Sequence, residues 1–138
     1  NELERALQSL PERVEFFVVL FSSWESEPPG QTGWMSAEPG RVKGAISWIR
    51  SIRPRGGTYP LGAFKKVFAL PEAPDIISFL TDGEVEGFSP SICAGLRGSR
   101  PTLINTITLE NEESGDTLQA IASESGGQYI HVQAAGGR

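Results

Sequence analysis

Residues 75–83 read DIISFLTDG, an apolar run that ends in a threonine, an aspartate and a glycine. The run is too short for a helix and is typical of a strand buried inside a parallel sheet. Residues 14–22 read VEFFVVLFS, a nearly continuous series of β-branched and aromatic side chains. This series predicts a strand buried on both faces of a parallel sheet, and residues 102–109 and 128–132 predict two more strands.

Helical spacing of apolar residues separates these strands. The i, i+3, i+4, i+7 pattern predicts a helix that opens the chain and further helices in the segments 41–53, 60–70, 89–96 and 114–126. Residues 32–36 predict one short antiparallel strand at the edge of the sheet. Strands that alternate with helices indicate an α/β fold, a Rossmann-like three-layer domain with a mostly parallel central sheet and helices on both faces.

Length and composition fit one domain. The chain has 138 residues, the usual size of a compact domain, and we expect residues 1–138 to form a single one. Its longest apolar run, Phe16–Phe21, is far shorter than the ~18 residues of a membrane span, so we expect a soluble domain without direct membrane insertion. Position 1 is asparagine and the one methionine is Met35, so we also expect a fragment of a longer protein.

Charge is distributed unevenly along the chain. The formal net charge is -5, from 12 basic and 17 acidic residues, yet residues 41–71 contain seven basic residues and no acidic one. A segment of this kind can bind nucleic acid. The aromatic residues between these bases fall on helical apolar spacing, so we interpret the charges as solvated helix surfaces and expect no nucleic-acid partner.

The common motifs of nucleotide binding and nucleophilic catalysis are missing. The sequence has no GxxxxGK[ST] phosphate loop, no GxGxxG after a strand and no GxSxG nucleophile elbow. Cys93 is the single cysteine, which excludes an internal disulfide, and the single histidine, His131, has no obvious partner for a catalytic dyad. We interpret both as packing residues and predict a protein that is not an enzyme.

Two short motifs remain that can carry a function. Gly56-Gly57-Thr58 lies between two predicted helices, and Thr81-Asp82-Gly83 ends a predicted buried strand. Ligands of parallel α/β sheets bind at the carboxyl ends of the strands. A carboxylate at that edge, next to a hydroxyl from a neighbouring loop, suits a hard divalent cation such as Mg²⁺. Thr58 and Asp82 are therefore candidate metal ligands.

The order of these motifs resembles that of the von Willebrand factor type A domain, the fold shared with integrin I domains. The resemblance covers essentially the whole chain and includes Leu118-xx-Ile121-Ala122 followed by Ser125-Gly126-Gly127-Gln128-Tyr129. It implies a metal-ion-dependent adhesion site (MIDAS) at the carboxyl edge, with Thr58 as a ligand and Asp82 bound to the ion directly or through water. It also implies a non-enzymatic protein-binding module in which Mg²⁺ captures an acidic side chain of a protein partner.

The chain departs from the family pattern at its beginning. The family's first strand, which ends in Asp-x-Ser-x-Ser and supplies the other metal ligands, has no counterpart here. We therefore predict that Thr58 and Asp82 alone hold Mg²⁺ weakly or not at all. The missing strand would lie between strands 14–22 and 75–81. We expect these two strands to pair directly, or a segment of another chain to fill the slot by self-association, unless the strand precedes residue 1 in the natural protein.

Two alternative functions stay open at this point. The chain could be a structural or vestigial domain of the same family without metal, or a Rossmann-like or flavodoxin-like nucleotide-binding enzyme. The missing phosphate loop counts against the second alternative. The sequence leaves the compartment open, and an extracytoplasmic part of a larger surface or membrane-anchored protein is one option.

Overall fold

A computed structural model describes residues 2–52, 59–81, 85–109 and 112–133. Within these ranges the helices are α1 (Glu2–Gln8), α2 (Pro39–Ser51), α3 (Leu61–Phe68), α4 (Pro90–Arg97) and α5 (Gly115–Ser125). The strands are β1 (Glu15–Phe16), β2 (Leu20–Phe21), β3 (Glu25–Ser26), β4 (Met35–Ser36), β5 (Ile76–Thr81), β6 (Leu103–Leu109) and β7 (Tyr129–Val132).

The strands β5, β6 and β7 form a parallel sheet in that order. Ile76 of β5 lies opposite Leu103 of β6, and Thr106 of β6 lies opposite Tyr129 of β7. Helix α5 packs on β6, where the buried Thr106 hydroxyl donates a hydrogen bond to the carbonyl oxygen of Leu118 at 2.9 Å. This parallel sheet with its connecting helices confirms the predicted Rossmann-like α/β fold.

Residues 14–22 differ from the prediction. They form two short strands instead of one long parallel strand: β1 pairs antiparallel with β4, and β2 pairs antiparallel with β3. The predicted edge strand in residues 32–36 is confirmed at β4, whereas the prediction of one strand buried on both faces is wrong. The physical reason is local, because residues 23–38 fold back onto this segment and closing a short loop costs little entropy.

Direct pairing between the segment 14–22 and the strand β5 is also wrong. Among the described residues, β5 pairs with β6 and with no other strand. A cavity of about 1840 Å³ lies between the segment and β5 and is lined by both.

Buried apolar side chains form two separate clusters. We call the first the sheet core; its buried members are Phe64, Phe68, Phe79, Phe88, Cys93, Ile104, Leu118 and Ile121. We call the second the amino-terminal core; its buried members are Leu7, Phe16, Val18, Ala37, Val42, Ala45 and Ile46. The helices α3, α4 and α5 surround the first core, and α1 and α2 surround the second.

Helix ends follow the local signals of the sequence. The Ser89 side chain accepts a hydrogen bond from the backbone N–H of Ile92 at 3.2 Å and caps α4, with Pro90 as its first residue. Gly126 ends α5 with φ of 87°, a left-handed conformation that glycine adopts without a steric penalty. Both features agree with the positions that the sequence predicts.

Several bases of the segment 41–71 are paired with acids of the same chain. Arg50 of α2 contacts Glu4 of α1 at 2.8 Å, and Lys66 of α3 contacts Glu27 at 2.9 Å. The Arg50 and Lys66 side chains keep much of their surface in solvent, as expected for charges on the outer sides of helices.

Across the ranges that the structure describes, no helix combines the length and apolarity that crossing a membrane requires.

Candidate functional site

The carboxyl ends of the parallel strands meet at one edge of the sheet. The strand β5 ends there at the buried Thr81, β6 at Leu109 and β7 at Val132. In parallel α/β sheets this edge is where ligands bind, because the loops that follow the strands converge there. We call it the carboxyl edge.

The two predicted metal ligands, Thr58 and Asp82, lie outside the described residues, and so do Gly56, Gly57 and Gly83. Their immediate neighbours in sequence, Tyr59 and Thr81, are described. Thr81, the last described residue before Asp82, lies at the carboxyl edge.

Tyr59 connects the segment after Thr58 to the same edge. Its backbone N–H donates a hydrogen bond to the carbonyl oxygen of Ser22 at 3.0 Å, directly after the strand β2. A Cβ atom on Gly87, in the segment that follows Asp82, would stand 3.9 Å from Cδ1 of the Tyr59 ring. The chain flanking Thr58 and the chain flanking Asp82 are therefore neighbours.

Aromatic packing below the carboxyl edge fixes these neighbours. The Phe79 ring, two residues before Thr81, lies 5.7 Å from the Phe21 ring and 5.1 Å from the Phe64 ring between centroids. Phe88 stacks on Phe64 at 4.7 Å. These rings belong to β2, α3, β5 and the loop before α4. Their mutual packing therefore holds the four segments together below the carboxyl edge.

A hydroxyl network links the end of β6 to β7, and sequence reasoning missed it. The Thr108 hydroxyl lies 3.0 Å from the Tyr129 hydroxyl and 2.8 Å from Nδ1 of His131, and Tyr129 donates to a carboxylate oxygen of Glu112 at 3.0 Å. The period of two in a strand could have indicated this network, because residues 129 and 131 point to the same side of β7. Thr108 has no exposed surface, so its hydroxyl is closed to a substrate and the network holds the strands together.

Cys93 is buried in the sheet core with 2% of its surface exposed. Burial raises the pKa of the Cys93 thiol to about 11. The thiolate is the reactive form, and at pH 8 roughly one such thiol in a thousand is ionised. This agrees with the interpretation of Cys93 as a packing residue.

We expect Cys93 to resist modification in the native protein. With a chromogenic disulfide reagent at pH 8, the folded chain should react more slowly than a free thiol by about two orders of magnitude or more. The same chain in guanidinium chloride is the control and should release one equivalent of chromophore rapidly. Native reaction at the rate of the unfolded control would contradict the buried, inert assignment.

The described residues contain no group of three or more His, Cys, Asp or Glu side chains that could hold a metal ion. The buried side chains at the carboxyl edge are mainly hydroxyls, such as those of Thr81 and Thr108. Hydroxyl oxygens suit Mg²⁺ in kind but carry no charge to balance it. A cation at this edge would therefore need at least one carboxylate ligand besides these hydroxyls.

Comparison with known families agrees with this architecture. A family model described as the von Willebrand factor type A domain matches residues 1–131. The chain belongs to the von Willebrand factor type A family. Domains of this family are generally non-enzymatic interaction modules, so membership supports a role in protein–protein interaction. A comparison with curated protein sequences finds no match.

Solved structures share the fold. A von Willebrand factor type A protein from Catenulispora acidiphila aligns with a TM-score of 0.77 at 20% identity, over 96% of this chain and 33% of its own. Proximal thread matrix protein 1 from the mussel byssus, with a zinc-occupied MIDAS motif, aligns with a TM-score of 0.69 at 21% identity, over 95% and 35%. An aerotolerance-related membrane protein from Bacteroides fragilis NCTC 9343, carrying multiple mutations to serine, aligns with a TM-score of 0.71 at 18% identity, over 95% and 77%.

These likenesses, all below 25% identity, establish the fold. The chain spans about a third of the length of the Catenulispora and mussel proteins. Partners and activities of whole proteins therefore belong to the proposals below.

Proposed function

We propose that this chain is a non-enzymatic protein-binding module that works through its carboxyl edge. Thr58 and Asp82 contribute oxygen ligands to a divalent cation there, with Mg²⁺ as the natural candidate. The cation in turn accepts an acidic side chain of a protein partner as a further ligand. Thr58 and Asp82 by themselves form an incomplete site, and residues 1–138 act as one domain.

The observation that carries this proposal is the hydrogen bond from Tyr59 to Ser22 at 3.0 Å. It holds Tyr59 at the end of β2, next to the edge at which β5 ends in Thr81. Membership in the von Willebrand factor type A family supports the interaction role. The mussel protein has a zinc-occupied MIDAS motif, which supports a divalent cation as the ligand proposed here.

Weak metal binding follows from the donor set. Mg²⁺ demands near-octahedral oxygen coordination and gives up its water reluctantly. Two protein oxygens, of which one is an uncharged hydroxyl, leave most positions to water. Ligands from a further strand or from the partner's carboxylate would complete the shell, so metal and partner should bind cooperatively.

Manganese titration tests this proposal. Mn²⁺ is a paramagnetic substitute for Mg²⁺, and millimolar Mn²⁺ should broaden the amide NMR signals of Tyr59, Thr81 and Val85 before those of other residues. The variant Asp82→Asn should lose this broadening because it removes the charged ligand. Asp75→Asn is the matched control, since Asp75 precedes β5 at the opposite end of the strand, and it should leave the broadening unchanged.

Each other outcome is informative. Micromolar Mg²⁺ affinity by calorimetry would contradict an incomplete site. Broadening that persists in Asp82→Asn would contradict the assigned ligand. A complete lack of broadening would favour the alternative of a structural or vestigial domain without metal, and specific nucleotide binding would favour the Rossmann-like enzyme. A location in the extracytoplasmic part of a larger surface or membrane-anchored protein also remains a proposal.

A further inference from the structure

A groove lies between the helix α2 and the chain that leads into β4. Its volume is about 490 Å³, within the range of roughly 300–1000 Å³ that is usual for ligand pockets. Pro28, Pro29 and Gly30 form one side, and α2 forms the other. Among the described residues, neither the segment 14–22 nor β5 lines it. We call it the α2 groove.

The floor of the α2 groove is apolar and belongs to the amino-terminal core. Ala45 is a buried member of that core, and Met35 and Trp48 pack against it with part of their surface exposed in the groove. An apolar side chain placed on this floor would lose contact with water on most of its surface. Partly exposed tryptophan in a concave site is a frequent anchor of protein interfaces.

Gly44 deepens the groove at its centre. It lies inside α2, three residues after Arg41 and four before Trp48, and so on the same side of the helix. A Cβ atom on Gly44 would meet no other atom within 4 Å, so no neighbouring group requires glycine there. Glycine inside a helix is less stable than alanine. Packing within the chain therefore gives no reason for this glycine, whereas a ligand in the groove gives one.

Arg41 provides a cationic group at one end of the groove. Its Nε donates to a carboxylate oxygen of Glu38 at 3.3 Å, and both side chains keep more than half of their surface exposed. The Glu38 carboxylate also accepts from the Ser36 hydroxyl at 2.7 Å. Within the described part of the chain, the two terminal nitrogens of Arg41 donate to no acceptor. These paired N–H groups match the two oxygens of a carboxylate.

The charge of α2 favours an acidic ligand. The helix contains Arg41, Lys43 and Arg50 and no acidic residue. Arg50 is paired with Glu4 of α1 at 2.8 Å, whereas Lys43 forms no ion pair among the described residues. The helix therefore attracts an acidic segment and repels a basic one.

Hydroxyl groups along α2 suit a peptide backbone. Ser47 and Ser51 both line the groove, one helical turn apart. The Ser51 hydroxyl donates to the carbonyl oxygen of Trp48 at 2.7 Å, which leaves its oxygen able to accept a hydrogen bond. A chain that lies along the helix can therefore bond these hydroxyls through its own N–H groups.

We propose that the α2 groove binds a segment of a partner protein through an acidic side chain and an apolar side chain three residues apart. The carboxylate pairs with Arg41, and the apolar side chain packs on Met35 and Trp48. Arg41 and Trp48 are seven residues apart, or roughly 10 Å along the helix axis, and three residues of an extended chain span about the same distance. This binding needs no metal and goes beyond the proposed function of the carboxyl edge.

Peptide titration followed by NMR tests the proposal. The probes are Ac-Glu-Ala-Ala-Leu-NH2 and the reversed Ac-Leu-Ala-Ala-Glu-NH2, since the spacing fixes no chain direction. Each is added up to about 10 mM to the isotope-labelled chain in the presence of a metal chelator. With at least one probe, the amide signals of Gly30, Gly44 and Ser47 and the indole N–H signal of Trp48 should shift and saturate. The same peptide with glutamine in place of glutamate should bind about tenfold more weakly.

Two variants of the same helix test the role of Arg41. Arg41→Gln removes the guanidinium that lines the groove, and peptide affinity should fall by about tenfold or more. Lys43→Gln is the matched control, because it removes the same charge from a residue that does not line the groove. Its effect on the affinity should stay below about twofold, since salt screens a distant exposed charge. Both residues are exposed, so both variants should fold.

A third variant tests the depth of the groove. Gly44→Gln introduces a good helix former at a position where a Cβ atom meets no neighbour, so the fold should be retained. The longer side chain occupies the centre of the groove, and peptide affinity should fall by about tenfold.

Four results would overturn the proposal. Equal affinity for the glutamate and glutamine peptides would show that no carboxylate is recognised. Equal losses in Arg41→Gln and Lys43→Gln would indicate a general attraction to the charge of α2. Shifts of the groove signals that depend on protein concentration, without peptide, would indicate that a second copy of this chain occupies the groove. Unchanged groove signals with both probes would exclude the site. Because the titration is run without metal, its failure leaves the proposal for the carboxyl edge unaffected.

Discussion

Leu118→Ala is expected to lower the free energy of unfolding by about 2 to 5 kcal/mol, the usual cost of truncating a fully buried leucine. Leu118 lies in α5 and has 0% of its surface exposed. It belongs to the sheet core, where α5 packs against β6. Truncation leaves a cavity between these two rigid elements, and neither element can move to fill it without breaking its own hydrogen bonds. Urea denaturation followed by circular dichroism measures the effect.

Leu103→Ala is the matched control for this substitution. Leu103 is the first residue of β6 and keeps 39% of its surface exposed, so its truncation leaves no closed cavity. We expect a loss of about 1 kcal/mol or less, since the side chain gives up only part of its burial. Equal losses in the two variants would contradict the assignment of Leu118 to the centre of the sheet core.

Local signals account for the parts of the fold that the sequence predicted well. Ser89 and Pro90 mark a helix start, and Gly126 marks a helix end, because capping depends on residues only a few positions apart. The strands β5 and β6 were also predicted within a residue or two, since apolar runs of their length are typical of parallel strands. In each case the neighbouring residues in sequence contain the relevant information.

The choice of strand partner accounts for the failures. The composition of residues 14–22 is that of a buried parallel strand, yet their hydrogen bonds go to β3, β4 and the side chain of Gln31. A strand-like pattern predicts that a segment pairs with another strand, but it does not identify that strand. The same limit hid the contact between Thr108 and His131, which depends on the register of β6 against β7.

The candidate metal site was predicted from motifs, and its two ligands stay predictions. The structure adds the hydrogen bond of Tyr59 to Ser22 and the position of Thr81 at the end of β5; these residues are next to Thr58 and Asp82 in sequence. The cavity between residues 14–22 and β5 could not be predicted from local patterns, because it depends on which partners these two segments pair with. It adjoins the carboxyl edge, since Ser22 and Thr81 both line it.

Gly127→Ala is expected to be the second strongly destabilising substitution, with a loss of about 1 to 3 kcal/mol. A Cβ atom at residue 127 would overlap the backbone carbonyl oxygen of Ile104 in β6 and would stand 3.0 Å from Oδ1 of Asn105. The backbone cannot rotate away easily, because the Gly127 N–H donates to the carbonyl oxygen of Ala122 at 2.8 Å. Glycine at this position thus permits the close approach of the chain after α5 to β6.

Gly44→Ala is the control that should change stability in the opposite direction. Gly44 lies inside α2, and a Cβ atom there would meet no other atom within 4 Å. Alanine should stabilise the helix by about 0.5 to 1 kcal/mol, because glycine loses more backbone entropy on folding. Thermal and urea unfolding of both variants measure the difference. A neutral or stabilising effect of Gly127→Ala would contradict the close approach of β6 to the chain after α5. It would also remove the steric reason for glycine at position 127.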